Sequence, residues 1–181
     1  GPLKSSFLGW CVYKVSVVIP TLNRADMLAG TIDRIERQSV GRDAYEVLVV
    51  DNNSTDHTQS VLAAKSAAYP NLKVFSQRKR GAAATRNVGI QKATGDIVLF
   101  IDDDIFAEPT LIEAHLDSHR QNPSASIIGN VLSTWDTATD PFLRYLRDRR
   151  IFNPYSIACG PMDFSYYHTG NVSTERKLLC D

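Results

Sequence analysis

Short, predominantly apolar runs alternate along this chain with segments of helical pattern. The runs that predict strands lie at residues 15–19, 46–50, 72–75 and 96–101. The predicted helices cover residues 26–38, a segment from Ser54 or Asp56 to residue 69, residues 82–93 and residues 109–120. Strands this apolar are buried on both faces, as a parallel sheet requires. The alternation predicts an α/β fold with a Rossmann-like, mostly parallel sheet flanked by helices.

The pattern becomes less regular in the C-terminal third of the chain. It allows a strand at residues 126–132, a short helix at 140–146 and a β-like aromatic stretch at 164–174. A length of 181 residues suits one domain. Residues 1–3, Gly-Pro-Leu, are typical of a cleaved expression tag, so we expect a single domain over residues 4–181.

Composition and charge exclude several classes of protein. Hydrophobic residues make up 43% and charged residues 22%, which excludes a disordered chain. The 20 basic and 20 acidic residues cancel, so we expect no nucleic-acid partner. The three cysteines are scattered, which favours reduced thiols and a cytoplasmic location, with the inner face of a membrane as the alternative. No apolar run approaches the ~20 residues of a transmembrane helix, so none is expected in this chain.

Polar side chains follow the predicted strands, at the edge where ligands bind in open α/β sheets. Thr21, Asn23 and Arg24 follow the first strand, and Asp51 ends the second. Arg80 follows the third strand at the same edge, where it could reach a base or a phosphate. The second-strand aspartate could accept a hydrogen bond from a ribose or a base, although Asp-Asn-Asn-Ser is also good turn chemistry.

Three consecutive acids, Asp102, Asp103 and Asp104, follow the fourth strand. Their mutual repulsion would be relieved by a hard divalent cation, Mn²⁺ or Mg²⁺, which prefers oxygen ligands. If the segment is extended, Asp102 and Asp104 share one face and are the expected metal ligands. The alternative is a loop of solvated acids that caps the next helix.

Other nucleotide-binding and metal-binding patterns are missing or incomplete. The sequence has no G-x-G-x-x-G after its first strand, no P-loop, and no G-x-G-T-R loop. A receiver-like protein would need an aspartate where the third strand ends in Phe75 and Ser76. His115 and His119 lie four residues apart on one predicted helix, but they lack the glutamate of H-E-x-x-H. We therefore assign them to a helix face rather than to a metal site.

Five sequence motifs resemble those of the family 2 glycosyltransferases, which have the GT-A fold. They are V-S-V-V-I-P-T-L-N-R at 15–24, E-V-L-V-V-D-N-N-S-T-D at 46–56, G-A-A-A-T-R-N-V-G at 81–89, D-D-D at 102–104 and T-G-N-V-S at 169–173. The third has Thr85 where the family usually has Ala, and the last has Thr169 where the family usually has Gly. The match covers about residues 14 to 175 in family order.

The resemblance implies metal-dependent transfer of a sugar from a nucleotide-diphosphate donor to an acceptor hydroxyl, with inversion at the anomeric carbon. By the same analogy, the donor-binding residues are Pro20, Thr21, Asn23, Arg24, Asp51, Arg80, Gly81, Asp102 and Asp103. Asp103 would contact the ribose, Asp104 would hold the metal, and Gly170 and Asn171 would lie on the acceptor side. UDP is the first nucleotide to expect, and the acceptor is a glycan, a lipid or a small molecule.

The sequence departs from the family where a catalytic base is expected. Family members carry an acidic E-D type motif downstream of the G-N loop, and this chain shows none. The remaining late acids are Asp163, Glu175 and Asp181, and they are the candidates for the catalytic base. We therefore expect a C-terminally truncated enzyme domain, with a donor-binding module that does not turn over as the alternative.

Overall fold

The computed structural model describes residues 14–131, 141, 142, 145, 160, 161 and 169–179. Its elements are β1 (Val15–Thr21), α1 (Ala25–Ile35), β2 (Tyr45–Asp51), α2 (Thr58–Ala68), β3 (Leu72–Ser76), α3 (Ala82–Lys92), β4 (Ile97–Ile101), α4 (Leu111–Gln121), β5 (Ile127–Ile128) and β6 (Asn171–Glu175). A 3₁₀ turn at Arg176–Leu178 follows the last strand. Of the predicted helix at 140–146, positions 141, 142 and 145 are helical, and the rest lies outside the described residues.

The described strands form one mixed sheet in the order β3-β2-β1-β4-β6-β5. The first four strands in this order are parallel, which confirms the predicted mostly parallel sheet. β6 runs antiparallel to both of its neighbours, β4 and β5. Its register pairs Asn171 with Ile101 and Glu175 with Ile97. Strand β6 therefore begins beside the carboxyl ends of the parallel strands and ends beside their amino ends.

Apolar side chains cover both faces of the sheet. On one face, strand residues such as Val17 and Val49 pack with Ile32 of α1, Leu62 of α2 and Ile112 of α4. The other face forms a second cluster of buried residues against which Ile90 of α3 packs. The central strands are thus buried between two helical layers, as their uninterrupted apolar sequences predict.

Several element boundaries differ from the sequence-based prediction, most clearly at the end of α1 and in the predicted strand at 126–132. α1 ends at Ile35, and Gln38 lies beyond the helix, where its side chain donates to the Glu108 carbonyl and accepts from the Ile112 amide. The predicted strand at 126–132 is reduced to two residues, because the apolar run is interrupted by Gly129 and Asn130. No helix in the described part of the chain is long and apolar enough to span a membrane.

Candidate functional site

A cavity of about 370 Å³ lies at the carboxyl ends of the parallel strands. The residues that line it come from the ends of β1, β2 and β4 and from the start of α3. They are Pro20, Thr21, Leu22, Arg24, Asn52, Arg80, Gly81, Ala82, Thr85, Arg86, Asp102 and Asp103. The sequence analysis assigned seven of these residues to the donor site: Pro20, Thr21, Arg24, Arg80, Gly81, Asp102 and Asp103.

Asp103 is the buried member of the acidic turn. Its carboxylate accepts hydrogen bonds from the Thr21 hydroxyl at 2.8 Å and from Arg24 at 3.2 Å. The Thr31 hydroxyl of α1 donates to its backbone carbonyl at 2.9 Å, which anchors the turn to the helix. Burial raises the pKa of this carboxyl, and the bonds from Thr21 and Arg24 oppose that rise.

Two arginines form ion pairs with the three carboxylates of the acidic turn. Arg24 also binds Asp104 at 2.8 Å, and this hydrogen bond raises the pKa of the guanidinium. Arg86 of α3 binds Asp102 at 2.6 Å, and its Nε is buried without a partner among the described residues. The charges of the turn are therefore divided between two cationic side chains.

The expectation that Asp102 and Asp104 share one face is wrong. It assumed an extended segment, but residues 103 and 104 form a turn, in which the Ile105 amide donates to the Asp102 carbonyl at 3.2 Å. The turn directs Asp102 towards Arg86 and Asp104 towards Arg24. Among the described residues, no three His, Cys, Asp or Glu side chains form a ready-made metal cluster. The assignment of Asp102 and Asp104 as metal ligands stays a prediction.

Asp51 lies at the end of β2 but does not line the cavity. It is 2% exposed, and its carboxylate accepts from the Ser54 amide, the Ser54 hydroxyl and the Gln59 side chain. Asn23, also outside the lining, has a φ of 54° and accepts from the Thr55 amide at 2.7 Å. The contacts of Asp51 with Ser54 are those of a turn residue, which is the alternative that its sequence allows.

Asn52 fixes the loop between β3 and α3 with its amide group. Its nitrogen donates to the carbonyls of Gln77 and Lys79 at 2.8 and 2.9 Å, and its oxygen accepts from the Gly81 amide at 3.0 Å. Gly81 has a φ of 130°, a conformation that favours glycine. This loop brings Arg80 and the N-terminus of α3 to the cavity.

The Gly170–Asn171 loop meets the acidic turn through its backbone. The Asp102 amide donates to the Gly170 carbonyl at 3.4 Å. The Asn171 side chain is directed away from the cavity, into a buried contact with His115 of α4 at 2.9 Å. Both histidines of α4 are buried, which agrees with their assignment to a helix face.

Of the three late acids, only Glu175 belongs to the described part of the chain, and it does not line the cavity. Glu175 pairs with Ile97 at the opposite edge of the sheet, where it accepts from the Ser124 amide and binds Lys177. The four residue steps along β6 from Asn171 to Glu175 span roughly 13 Å. Asp163 and Asp181 lie outside the described residues.

The sequence analysis missed Asn52 and Arg86 as parts of the cavity wall. Arg86 lies inside the quoted motif at 81–89, in the second turn of α3. Its position in the sequence could have indicated a place in the cavity wall. It is a cationic residue near the N-terminus of a helix that begins where the carboxyl ends of the strands lie. Asn52 carried no signal that separated it from a turn residue.

Solved structures with a similar fold are sugar-transferring enzymes. A mannosyltransferase from Pyrobaculum calidifontis, solved with GDP-Man and Mn²⁺, superposes with a TM-score of 0.66 and 24% identity over 92% of this chain and 45% of that chain. Staphylococcus aureus TarS in complex with UDP-GlcNAc gives a TM-score of 0.58 and 25% identity, over 68% of this chain and 37% of that chain. The sheet of this protein and its flanking helices thus form a GT-A fold.

The family model described as glycosyl transferase family 2 matches residues 16–179. The chain belongs to this family. A curated relative, glycosyltransferase AglE of Haloferax volcanii, is 32% identical over 72% of this chain and 43% of its own length. Another, YfnE of Bacillus subtilis, is 32% identical over 64% of this chain and 29% of its own length. The chain therefore spans less than half the length of these relatives.

Proposed function

We propose that this chain binds a nucleotide-diphosphate sugar together with a divalent cation and transfers the sugar, with inversion, to an acceptor hydroxyl. One observation carries the proposal: a single cavity combines Arg24, Arg80 and Arg86, the N-terminus of α3 and an acidic turn. Guanidinium groups and helix N-termini both favour phosphate oxygens. The acidic turn supplies the opposite charge that a cation bound to the diphosphate requires.

The donor expected first is a UDP-sugar. The TarS structure contains UDP-GlcNAc, and a glucosyl-3-phosphoglycerate synthase of the same fold contains UDP-glucose and Mn²⁺. The Pyrobaculum mannosyltransferase contains GDP-Man instead, so GDP is the competitor to test. The acceptor is a glycan, lipid or small-molecule hydroxyl.

The residues of the acidic turn fit a divalent cation by their chemistry. The side chains of Asp102 and Asp104 are each 40% exposed and present hard oxygen donors. One or two carboxylates together with substrate phosphates are a usual ligand set for Mg²⁺. When bound, the cation would neutralise the charge that develops on the departing nucleoside diphosphate.

In the proposed reaction, the acceptor oxygen bonds to the anomeric carbon while the bond from that carbon to the diphosphate oxygen breaks. The acceptor hydroxyl gives its proton to a carboxylate base, and a single displacement inverts the configuration. Arg24, Arg80 and Arg86 are the candidates to bind the diphosphate. The acids that line the cavity, within the described residues, are Asp102 and Asp103.

A donor-binding module without efficient turnover is the second candidate function. One observation favours it: both lining acids are already engaged, Asp103 by Thr21 and Arg24 and Asp102 by Arg86. A carboxylate whose oxygens already accept these hydrogen bonds must lose one of them before it can take a proton from an acceptor hydroxyl.

The first prediction concerns Asp104. We expect Asp104→Asn to remove most of the metal dependence of UDP binding, because the amide lacks the charge of a hard ligand, while the fold persists. Isothermal titration of UDP in the presence of Mn²⁺ and after chelation measures this dependence. Asp117→Asn is the matched control, since Asp117 lies exposed on α4 and pairs with Arg120.

Two results would contradict this part of the proposal. Equal UDP affinity with Mn²⁺ and with chelator in the original protein would show that UDP binding does not depend on the metal. Equal metal dependence in the original protein and in Asp104→Asn would show that Asp104 is not a metal ligand. GDP titrated in parallel decides which nucleotide the site prefers.

A further inference from the structure

A buried hydrogen-bonded chain connects helix α4 to the first residues of strand β6. His115 Nε2 lies 2.9 Å from Asn171 Oδ1, and its Nδ1 lies 2.7 Å from the Ser173 hydroxyl. His119 Nε2 lies 2.8 Å from the same hydroxyl. The four side chains belong to residues that are at most 7% exposed. Polar groups this deeply buried are held in one arrangement, because a lost partner is not replaced by water.

With His115 neutral, the donors and acceptors of these hydrogen bonds have one consistent assignment. The Asn171 amide nitrogen donates to the Asn130 carbonyl at 3.2 Å, so its oxygen accepts from His115 Nε2–H. The neutral ring then has Nδ1 as an acceptor, and the Ser173 hydroxyl donates to it. The Ser173 oxygen in turn accepts from His119 Nε2–H. Both nitrogens of His115 are thereby used, which leaves neither for a metal ion.

The same segment forms part of the wall of the functional site. The Gly170 carbonyl accepts from the Asp102 amide, and the Asn171 carbonyl accepts from the Gly129 amide at 2.9 Å. A Cβ atom on Gly170 would lie 3.1 Å from Asp102 Oδ2, so the loop approaches that carboxylate closely. The position of Asn171 therefore decides how near residue 170 lies to the acidic turn.

We infer that His115 is a positioning residue: its imidazole holds Asn171 and Ser173 in place, and thereby fixes Gly170 against Asp102 beside the donor cavity. Any effect of His115 on sugar transfer rests on the proposed function, whereas its effect on the position of the loop does not. His119 contacts Ser173 but has no hydrogen bond to Asn171, so it shares the burial of His115 without its link to the loop.

Hydrogen exchange of two backbone amides tests the inference. The amides of Asp102 and Gly129 both donate to the 170–171 segment, so they report on its position. We expect both to exchange about tenfold faster in His115→Leu than in the original protein. His115→Gln should restore slow exchange, because its amide nitrogen can replace Nε2 as the donor to Asn171. His119→Leu is the matched control and should leave both amides within about twofold of the original rates.

A second variant displaces Asn171 without changing His115. A Cβ atom on Gly129 would lie 2.2 Å from the Asn171 amide nitrogen, so Gly129→Ala must push that side chain away. We expect the Asp102 amide to exchange faster in this variant too. If His115→Leu does not fold, Gly129→Ala decides the question.

Unchanged exchange at Asp102 in the variants that fold would overturn the inference. Equal acceleration in His119→Leu would also overturn it, because the effect would then be a general loosening of α4. UDP binding by the original protein is measured in parallel. Its absence contradicts the proposed function alone, while faster exchange restored by His115→Gln still supports the positioning role.

Discussion

At the scale of the residue, the site holds its charges in specific pairs rather than in a solvated cluster. The carboxylate of Asp103 is 8% exposed and depends on Thr21 and Arg24 for its partners. Burying an ionised carboxylate is costly unless hydrogen bonds and an opposite charge compensate it. In the resulting turn, Asp102 pairs with Arg86 and Asp104 pairs with Arg24.

Asn52 gives a prediction at this scale. Its amide makes three partly buried hydrogen bonds with the loop between β3 and α3. We expect Asn52→Ala to lower the free energy of unfolding by about 2 to 4 kcal/mol, because two carbonyls and one amide lose their partner. UDP affinity should fall as well, since the loop carries Arg80. Chemical denaturation and calorimetry measure the two effects.

Asn122→Ala is the control for this prediction. Asn122 is exposed and makes one side-chain bond, to the Ser118 carbonyl, so its removal should cost under about 1 kcal/mol. A similar loss of stability in the two variants would contradict the assigned role of Asn52.

Residue positions after strands were predictable, but side-chain directions were not. Thr21, Arg24 and Arg80 line the cavity because each lies at the carboxyl end of a parallel strand or within four residues of it, and that pattern is visible in the sequence. Asp51 also ends a strand, yet its carboxylate closes a turn with Ser54. An aspartate that binds a ligand and one that closes a turn have the same local sequence, so only tertiary contacts distinguish them.

At the scale of the element, α4 and β6 form a unit through the two buried histidines. Burial lowers the pKa of His115 from its ordinary value of 6.5, and the hydrogen bond to Asn171 partly opposes this. Burial also lowers the pKa of His119 from 6.5, and the nearby charge of Glu175 opposes it. Both rings are thus held neutral in the folded protein at pH values where the unfolded chain already binds protons.

The sign of the resulting pH dependence follows from linkage. Well above pH 6.5 the rings are neutral in both states and contribute no slope. As the pH falls below that value, the unfolded state takes up protons first, so the free energy of unfolding decreases. The slope is at most about 1.4 kcal/mol per pH unit for each histidine, and it ends below the lowered pKa values of the folded protein.

We therefore expect the double variant His115→Gln, His119→Gln to lose most of the slope between about pH 6.5 and 5.5. Urea denaturation at a series of pH values measures it. His57→Gln is the control, because His57 is exposed and pairs with Asp26 at the surface. Parallel curves for the original protein and the double variant would contradict the prediction.

The pairing of β6 with β4 could not be read from the sequence. The alternation of strands and helices predicts the parallel core, because each crossover there is local. β6 joins the sheet from 70 residues beyond β4 and runs antiparallel, and no local pattern specifies that partner. The same long-range pairing separates Glu175 from the site, although it lies only four residues after Asn171.

At the scale of the whole molecule, the two edges of the sheet serve different purposes. At the edge opposite the cavity, Glu46 is fully buried and accepts hydrogen bonds from Ser16, Lys73 and Thr94. A buried carboxylate satisfied in this way stabilises the arrangement of the strands and leaves no group for a ligand. At the cavity edge, polar groups remain accessible, which is where open α/β sheets bind their ligands.

We expect the 181-residue protein to bind a UDP-sugar with Mn²⁺ but to transfer the sugar slowly. The lining acids are engaged by arginine and threonine side chains, and Glu175 lies at the far edge. General-base assistance contributes about 10² to 10⁴ in rate, so a site whose described residues offer no free carboxylate to the acceptor should show a deficit of that order. Release of UDP from UDP-glucose, measured with and without candidate acceptors beside the binding affinity, separates turnover from binding. Rapid transfer to a defined acceptor would contradict the prediction. The base would then be sought with the variants Asp163→Asn and Asp181→Asn. The variant that loses transfer but keeps its UDP affinity would identify it.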